Sequence, residues 1–197
     1  GGFPSLSTLH YSYQSAEQFV PPIEKYAEAI TSVLNSLPRD RRPRLYLESG
    51  RALVDEAGYL ITSVVAVKQT AASGPITLAG KANKGPAYVH ETPGTAYVVD
   101  AGINLLYRFN VKPAKALREA AAQPVKLYGC LCMNIDVIRE QVSLPAMTTG
   151  DHLVMHPVGA YNITQSMQFI TYRPAVVMIG LDGRVDVIRE RDDLDYV

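Results

Sequence analysis

The sequence predicts an α+β chain: a short helix-bearing segment over residues 1–50, then a mainly-β domain of barrel or sandwich type over residues 51–197. Three observations carry this. A single apolar stripe at helical spacing lies near the start of the chain. From "RLYLES" onward, hydrophobic residues recur at period two in short β-branched runs. Glycine-containing punctuation such as "EAG", "TPG", "TGD" and "LDG" separates those runs.

The helix is read in "SAEQFVPPIEKYAEAITSVLNSLP", where Phe19, Ile23, Tyr26, Ala27, Ile30, Val33 and Leu34 share one face. Ser15 is a candidate N-cap, but Pro21 and Pro22 push the regular part downstream. Pro38 and the charged "RDRRPR" stop it. Strands are read in "LITSVVAVK", "PAYVH", "TAYVVDAG", "PVKLYG", "HLVMHPVGAY", "QFITYRPAVVMI" and "RVDVIRE". "ASGPITLAGKANKG" reads as a loop or irregular hairpin, and "AKALREAAAQ" as a short helix or connector.

Composition narrows the partners. Hydrophobic residues are 47% and charged residues 19% of the 197, which suits a packed globular domain. Lys plus Arg and Asp plus Glu both number 19, so no basic surplus points to nucleic acid or an anionic membrane. No apolar run reaches the ~20 residues of a spanning helix, and no secretory signal opens the chain. With only two cysteines, a disulfide framework is not expected, and a cytoplasmic setting is the default.

The candidate chemistry lies in a few short motifs. "GGFP" can present backbone N–H groups to an anion, or can be only a turn before the helix. "ESGR", residues 48–51, sets an acid and an arginine across a tight turn; "GAYN", residues 159–162, puts a tyrosine after a bend. Cys130 and Cys132 in "LYGCLCMNID" are open to four readings: metal clip, redox pair, core or catalytic thiol. A zinc clip would need two more ligands, and Cys-x-Cys chelates poorly; His152 and His156 are the only downstream offer.

The order and spacing of these pieces are more specific than any one of them. "GGFP", a helix, "ESGR", "VVDAGIN", "GCLCMNID", "TTGDHLVMHPVGAYN" and "YRPAVVMI" together resemble the fold-type III pyridoxal-phosphate-dependent decarboxylases. These are the diaminopimelate, ornithine and arginine decarboxylases, and the likeness runs essentially the length of the chain. It implies that residues 1–50 are the last βα segment of a (β/α)8 barrel and that residues 51–197 are the family's β domain.

The resemblance also implies roles. Glu48 would hold a proton on the cofactor's ring nitrogen, and Gly1, Gly2, Arg51 and Tyr161 would hold its phosphate. Cys132, in the frame from Gly129 to Asp136, would reach into the partner subunit's site and act at the reacting carbon, with Met133 and Asp136 facing substrate. Cys130 would be buried filler. A homodimer with shared sites follows, acting on an amino-acid-type small molecule.

Two departures stand out. Ser49 replaces the motif proline, and Met133 stands where the family has the acid that pairs with the substrate's distal amino group. None of Lys25, Lys68, Lys81, Lys84, Lys112, Lys115 or Lys126 lies in the context of the family's Schiff-base lysine. The expectation is therefore a C-terminal part that works with an N-terminal half of the same enzyme. The competing readings are a family relative without turnover that acts by binding, and an amino-acid racemase of related architecture. Retention of Glu48, Arg51, Cys132 and Tyr161 argues against the first, and the GxxCxxxD frame disfavours the second.

Overall fold

The computed structural model describes residues 3–5, 20–70, 94–106, 110–113 and 121–196. Gly1, Gly2, the Ser15 cap, "PAYVH" and most of "AKALREAAAQ" lie outside the described residues. The chain divides into two compact units. The smaller comprises residues 1–60, 106–112 and 155–166; the larger comprises 61–105, 113–154 and 167–197. The sequence alone suggests a boundary at residue 50. Here residues 51–60 stay with the first segment, because the backbone of Asp55 and Gly58 is hydrogen-bonded to residues 158 and 159.

In the smaller unit, helix α1 (Ile23–Ser36) begins directly after the proline pair, with Pro22 as N-cap. Its half-buried residues Tyr26, Ile30 and Leu34 follow a four-residue step, and the Phe3 ring meets Tyr26 edge-on at 5.6 Å. "RLYLES" departs from its strand pattern: residues 43–50 run without ladder pairing among the described residues. Leu45, Tyr46 and Leu47 are 48%, 76% and 57% exposed. A period-two segment needs a neighbouring strand to become one, and here it has none among the described residues. A four-residue helix, α2 (Arg51–Val54), follows at once.

The larger unit is mainly β, as the alternating runs predict. Strands β1 (Leu60–Thr70), β2 (Gly94–Val99), β3 (Asn110–Pro113), β4 (Gln123–Tyr128), β5 (Val137–Leu144) and β6 (His152–His156) form one sheet, although most of β3 and the last two residues of β6 are counted with the smaller unit. Their order is β3-β6-β1-β2-β4-β5. β2 and β4 pair in parallel, and β4 and β5 pair antiparallel. Alternate residues Val125 and Leu127 of β4 are buried with Tyr97 and Val99 of β2. The buried Tyr97 hydroxyl donates to Pro145 O at 3.2 Å and accepts from Met147 N at 3.0 Å.

β5 is absent from the sequence reading because Arg139, Glu140 and Gln141 interrupt its alternation. "QFITYRP" forms only an isolated bridge between Phe169 and Thr171. A separate hairpin joins β7 (Val176–Ile179) to β8 (Val185–Arg189). Its turn uses Gly183 at φ 80°, a conformation that a side chain would strain. The chain end is fastened by Asp192, whose carboxylate accepts from Arg173 Nε at 2.6 Å and Gln168 Nε2 at 2.7 Å. The Arg173 hydrogen bond is the main reason that carboxyl is held below the ordinary aspartate range.

Candidate active site

In the smaller unit the site is built around a buried carboxylate. Asp55 is 1% exposed, and a carboxylate in that position is costly unless its oxygens are engaged. Its Oδ2 accepts from Ser5 Oγ at 2.5 Å and Arg51 Nη1 at 3.1 Å, and its Oδ1 accepts from Ala160 N at 3.2 Å. Its main-chain carbonyl accepts from Gly159 N at 2.9 Å. One residue thus joins the start of the described chain, the arginine of "ESGR" and the tyrosine loop.

The two backbones meet so closely that glycine is required. A Cβ on Gly159 would sit 1.7 Å from Val54 O, and one on Gly58 would sit 2.2 Å from Gly159 N. Tyr161 then adopts φ 68°, which is strained for a residue with a side chain, at roughly 1–3 kcal/mol. The surrounding bonds impose it: Asn162 Nδ2 donates to Val158 O and Ala160 O at 3.0 and 3.1 Å, and Gln165 N donates to Tyr161 O at 3.0 Å. As a result the Arg51 guanidinium carbon lies 5.0 Å from the centroid of the Tyr161 ring. A Cβ built on Gly50 would lie 3.8 Å from the Tyr161 hydroxyl. Glu48 is exposed, three residues before Arg51 in the chain. Arg51 offers five N–H donors in a planar fork, of which Asp55 takes one, leaving donors suited to a phosphate ester.

In the larger unit a second buried acid shapes the cysteine loop. Asp136 is 3% exposed and accepts from Ile103 N and Leu131 N, both at 2.8 Å. Among the sequence-based candidates for contact with substrate, it is instead occupied with backbone donors, and its visible work is to hold residues 129–136 in shape. A Cβ on Gly129 would fall 2.1 Å from Asp136 Oδ2, and one on Gly102 would fall 2.7 Å from Leu131. "VDAGIN" and "GCLCMNID", far apart in sequence, are therefore one packed structure. Cys132 is exposed on this loop, and Met133 beside it is 38% exposed. Cys130 is half-buried rather than buried, and it lines a cavity of about 390 Å³ with Lys68, Val98 and Tyr128.

Sequence reading finds Glu48, Arg51, Tyr161 and Cys132 but misses Asp55 and Ser5. The one available signal for Asp55 is its place four residues after Arg51, one helical turn on. Ser5 gives no signal, since its partner lies 50 positions away.

Comparison with known proteins follows the same lines. A family model described as pyridoxal-dependent decarboxylase, C-terminal sheet domain, matches residues 13–159. A diaminopimelate decarboxylase of Methanothermobacter thermautotrophicus is 28% identical over 181 residues, covering 86% of this chain and 37% of that protein. The Methanocaldococcus jannaschii diaminopimelate decarboxylase is 30% identical over 183 residues, covering 88% and 36%. A crystal structure of diaminopimelate decarboxylase from M. jannaschii in co-complex with L-lysine superposes with a TM-score of 0.69 at 27% identity, covering 90% of this chain and 37% of that one. The chain thus spans well under half the length of these relatives.

The two thiols should differ in reactivity. Burial above all, and then the charges of Asp136 and Asp100, push the Cys130 thiol above the ordinary cysteine range. A raised value leaves less thiolate at any given pH, so Cys130 gains reactivity only as the pH climbs further. At pH 8 the native protein with Cys132→Ala should be alkylated about tenfold more slowly than the protein with Cys130→Ala. Equal rates would show that the loop does not distinguish the two.

Proposed function

The chain belongs to the pyridoxal-dependent decarboxylase family, as its C-terminal sheet domain, and from that premise we propose that it serves an amino-acid decarboxylase. The reaction removes the α-carboxylate of an amino acid, or of an amino-acid-containing intermediate, as CO2 and returns a proton to the same carbon. The observation that carries this reading is the convergence of Arg51 and Tyr161 through Asp55, with Glu48 three residues before Arg51 in the chain.

The residues fit pyridoxal 5'-phosphate. When bound, that cofactor supplies a pyridinium that accepts the electron pair left by departing CO2. Arg51 and the Tyr161 hydroxyl would hold its phosphate, and the motif likeness adds Gly1 and Gly2, which lie outside the described residues, to that set. Glu48 keeps the proton on the ring nitrogen. Cys132, presented by the Asp136-braced loop, holds and delivers a proton at the reacting carbon in the partner subunit's site. Sites built from two copies imply a homodimer with an isologous interface.

The Schiff-base lysine comes from an N-terminal half of the same enzyme. The exposed run Leu45–Leu47 and the apolar groove of about 580 Å³ lined by Phe3, Tyr26, Ile30 and Leu53 are the surfaces we assign to the rest of its barrel.

Loss of CO2 from an added amino acid, measured with the complete enzyme and cofactor, tests the reaction. Cys132→Ala should lower turnover by about a hundredfold or more, and Cys130→Ala by far less. No CO2 from any amino acid, with a colourless protein insensitive to borohydride, would overturn the proposal.

Substrate choice is read from Met133. A thioether offers an adaptable apolar wall and cannot pair with an ammonium, so we propose a substrate whose distal end is not held by an acid at this position. Met133→Asp should raise kcat/KM for α,ω-diamino acids about tenfold relative to the native substrate, one ion pair's worth of discrimination. No gain would remove this residue from substrate selection.

A further inference from the structure

The motif likeness explains Arg51 and Tyr161 but gives Asp55 no role. We propose that Asp55 is a positioning residue that aims the Arg51 guanidinium and the Tyr161 loop at one phosphate group; this rests on the decarboxylase reading above. Three observations lead to it. Asp55 is 1% exposed, so its carboxylate answers to the groups around it rather than to solvent. Its Oδ2 holds Arg51 Nη1 at 3.1 Å while its Oδ1 holds Ala160 N at 3.2 Å, so one rigid group spans both phosphate-facing elements. Ser5 Oγ donates to that same Oδ2, which ties the segment following Gly1 and Gly2 to the arrangement.

The chemistry gives this span a consequence. An arginine at the start of a four-residue helix has a long side chain with many rotamers, and ordering it costs entropy. Asp55 meets that cost before the phosphate arrives, fixing one edge of the planar fork while the Tyr161 ring covers its face. Tyr161, with its strained φ of 68°, directly follows Ala160, whose N–H is held by the same carboxylate. Asp55 touches neither substrate nor cofactor in this account; it acts through the two residues that do.

The test compares two ligands of the complete apoenzyme: pyridoxal 5'-phosphate, and pyridoxal, which lacks the phosphate. Asp55→Asn keeps the size of the side chain and an acceptor for Ala160 N–H but loses the charge that holds Arg51. Its affinity for pyridoxal phosphate should fall about tenfold or more, while affinity for pyridoxal stays within about twofold. In an Arg51→Gln background the same change should add little. A purely structural role would lower both affinities together, and that outcome overturns the proposal, as does no change in either.

Should the Asn variant not fold, Arg51→Lys reads the same claim. It keeps the charge but not the fork, so phosphate preference should drop as far as in Arg51→Gln; full retention would overturn the proposal. If Arg51→Gln itself leaves the phosphate preference intact, the assignment of Arg51 fails, which separates that failure from a failure of Asp55.

Discussion

A carboxylate taken out of water must find donors, and that constraint shapes the loops around Asp55 and Asp136. Asp55, Asp136 and Asp192 are all buried, and each is met by charged or backbone donors from distant parts of the sequence. The surrounding glycines follow from the same demand. Gly129 exists because Asp136 occupies the space a Cβ would need. Gly58 and Gly159 exist because the Asp55 region draws two backbones into contact. Removing a buried acid would strand its donors as well, so these positions resist substitution by more than their own packing.

The division of labour between the two units follows. In the smaller unit the buried acid brings together a cation, an aromatic ring and a strained backbone, which is chemistry suited to an anionic ester. In the larger unit the buried acid shapes a loop that leaves one thiol exposed and the other half-buried. The two cysteines lie two positions apart, yet only Cys132 is presented. In the proposed enzyme the first unit binds and the second supplies the proton, each organised by a residue that does not itself react.

Much of this was legible in the sequence. The alternation in "LITSVVAVK", "TAYVV" and "PVKLY" marked β1, β2 and β4, and the proline pair fixed the helix start. The spacing of "ESGR", "GCLCMNID" and "GAYN" carried the family. What stayed hidden depends on pairing at a distance. "RLYLES" has the pattern of a strand but no neighbour among the described residues, while β5 is a strand despite three consecutive polar residues, because β4 supplies its ladder. Asp55 drew no reading from the sequence, since its partners at 5 and 160 are invisible to any local window. Asp136 was recognised by position, but its use by Ile103 N and Leu131 N is a property of the folded loop.

The central claim is that a single buried carboxylate pre-sets a phosphate-binding arginine and tyrosine. A crystal structure of the complete enzyme with pyridoxal 5'-phosphate bound tests it most directly. Phosphate oxygens are expected within hydrogen-bond reach of both the Arg51 guanidinium and the Tyr161 hydroxyl, with Arg51 still bonded to Asp55 and Ala160 N still on the same carboxylate. A phosphate held elsewhere, or an Arg51 that must leave Asp55 to reach it, would contradict the account.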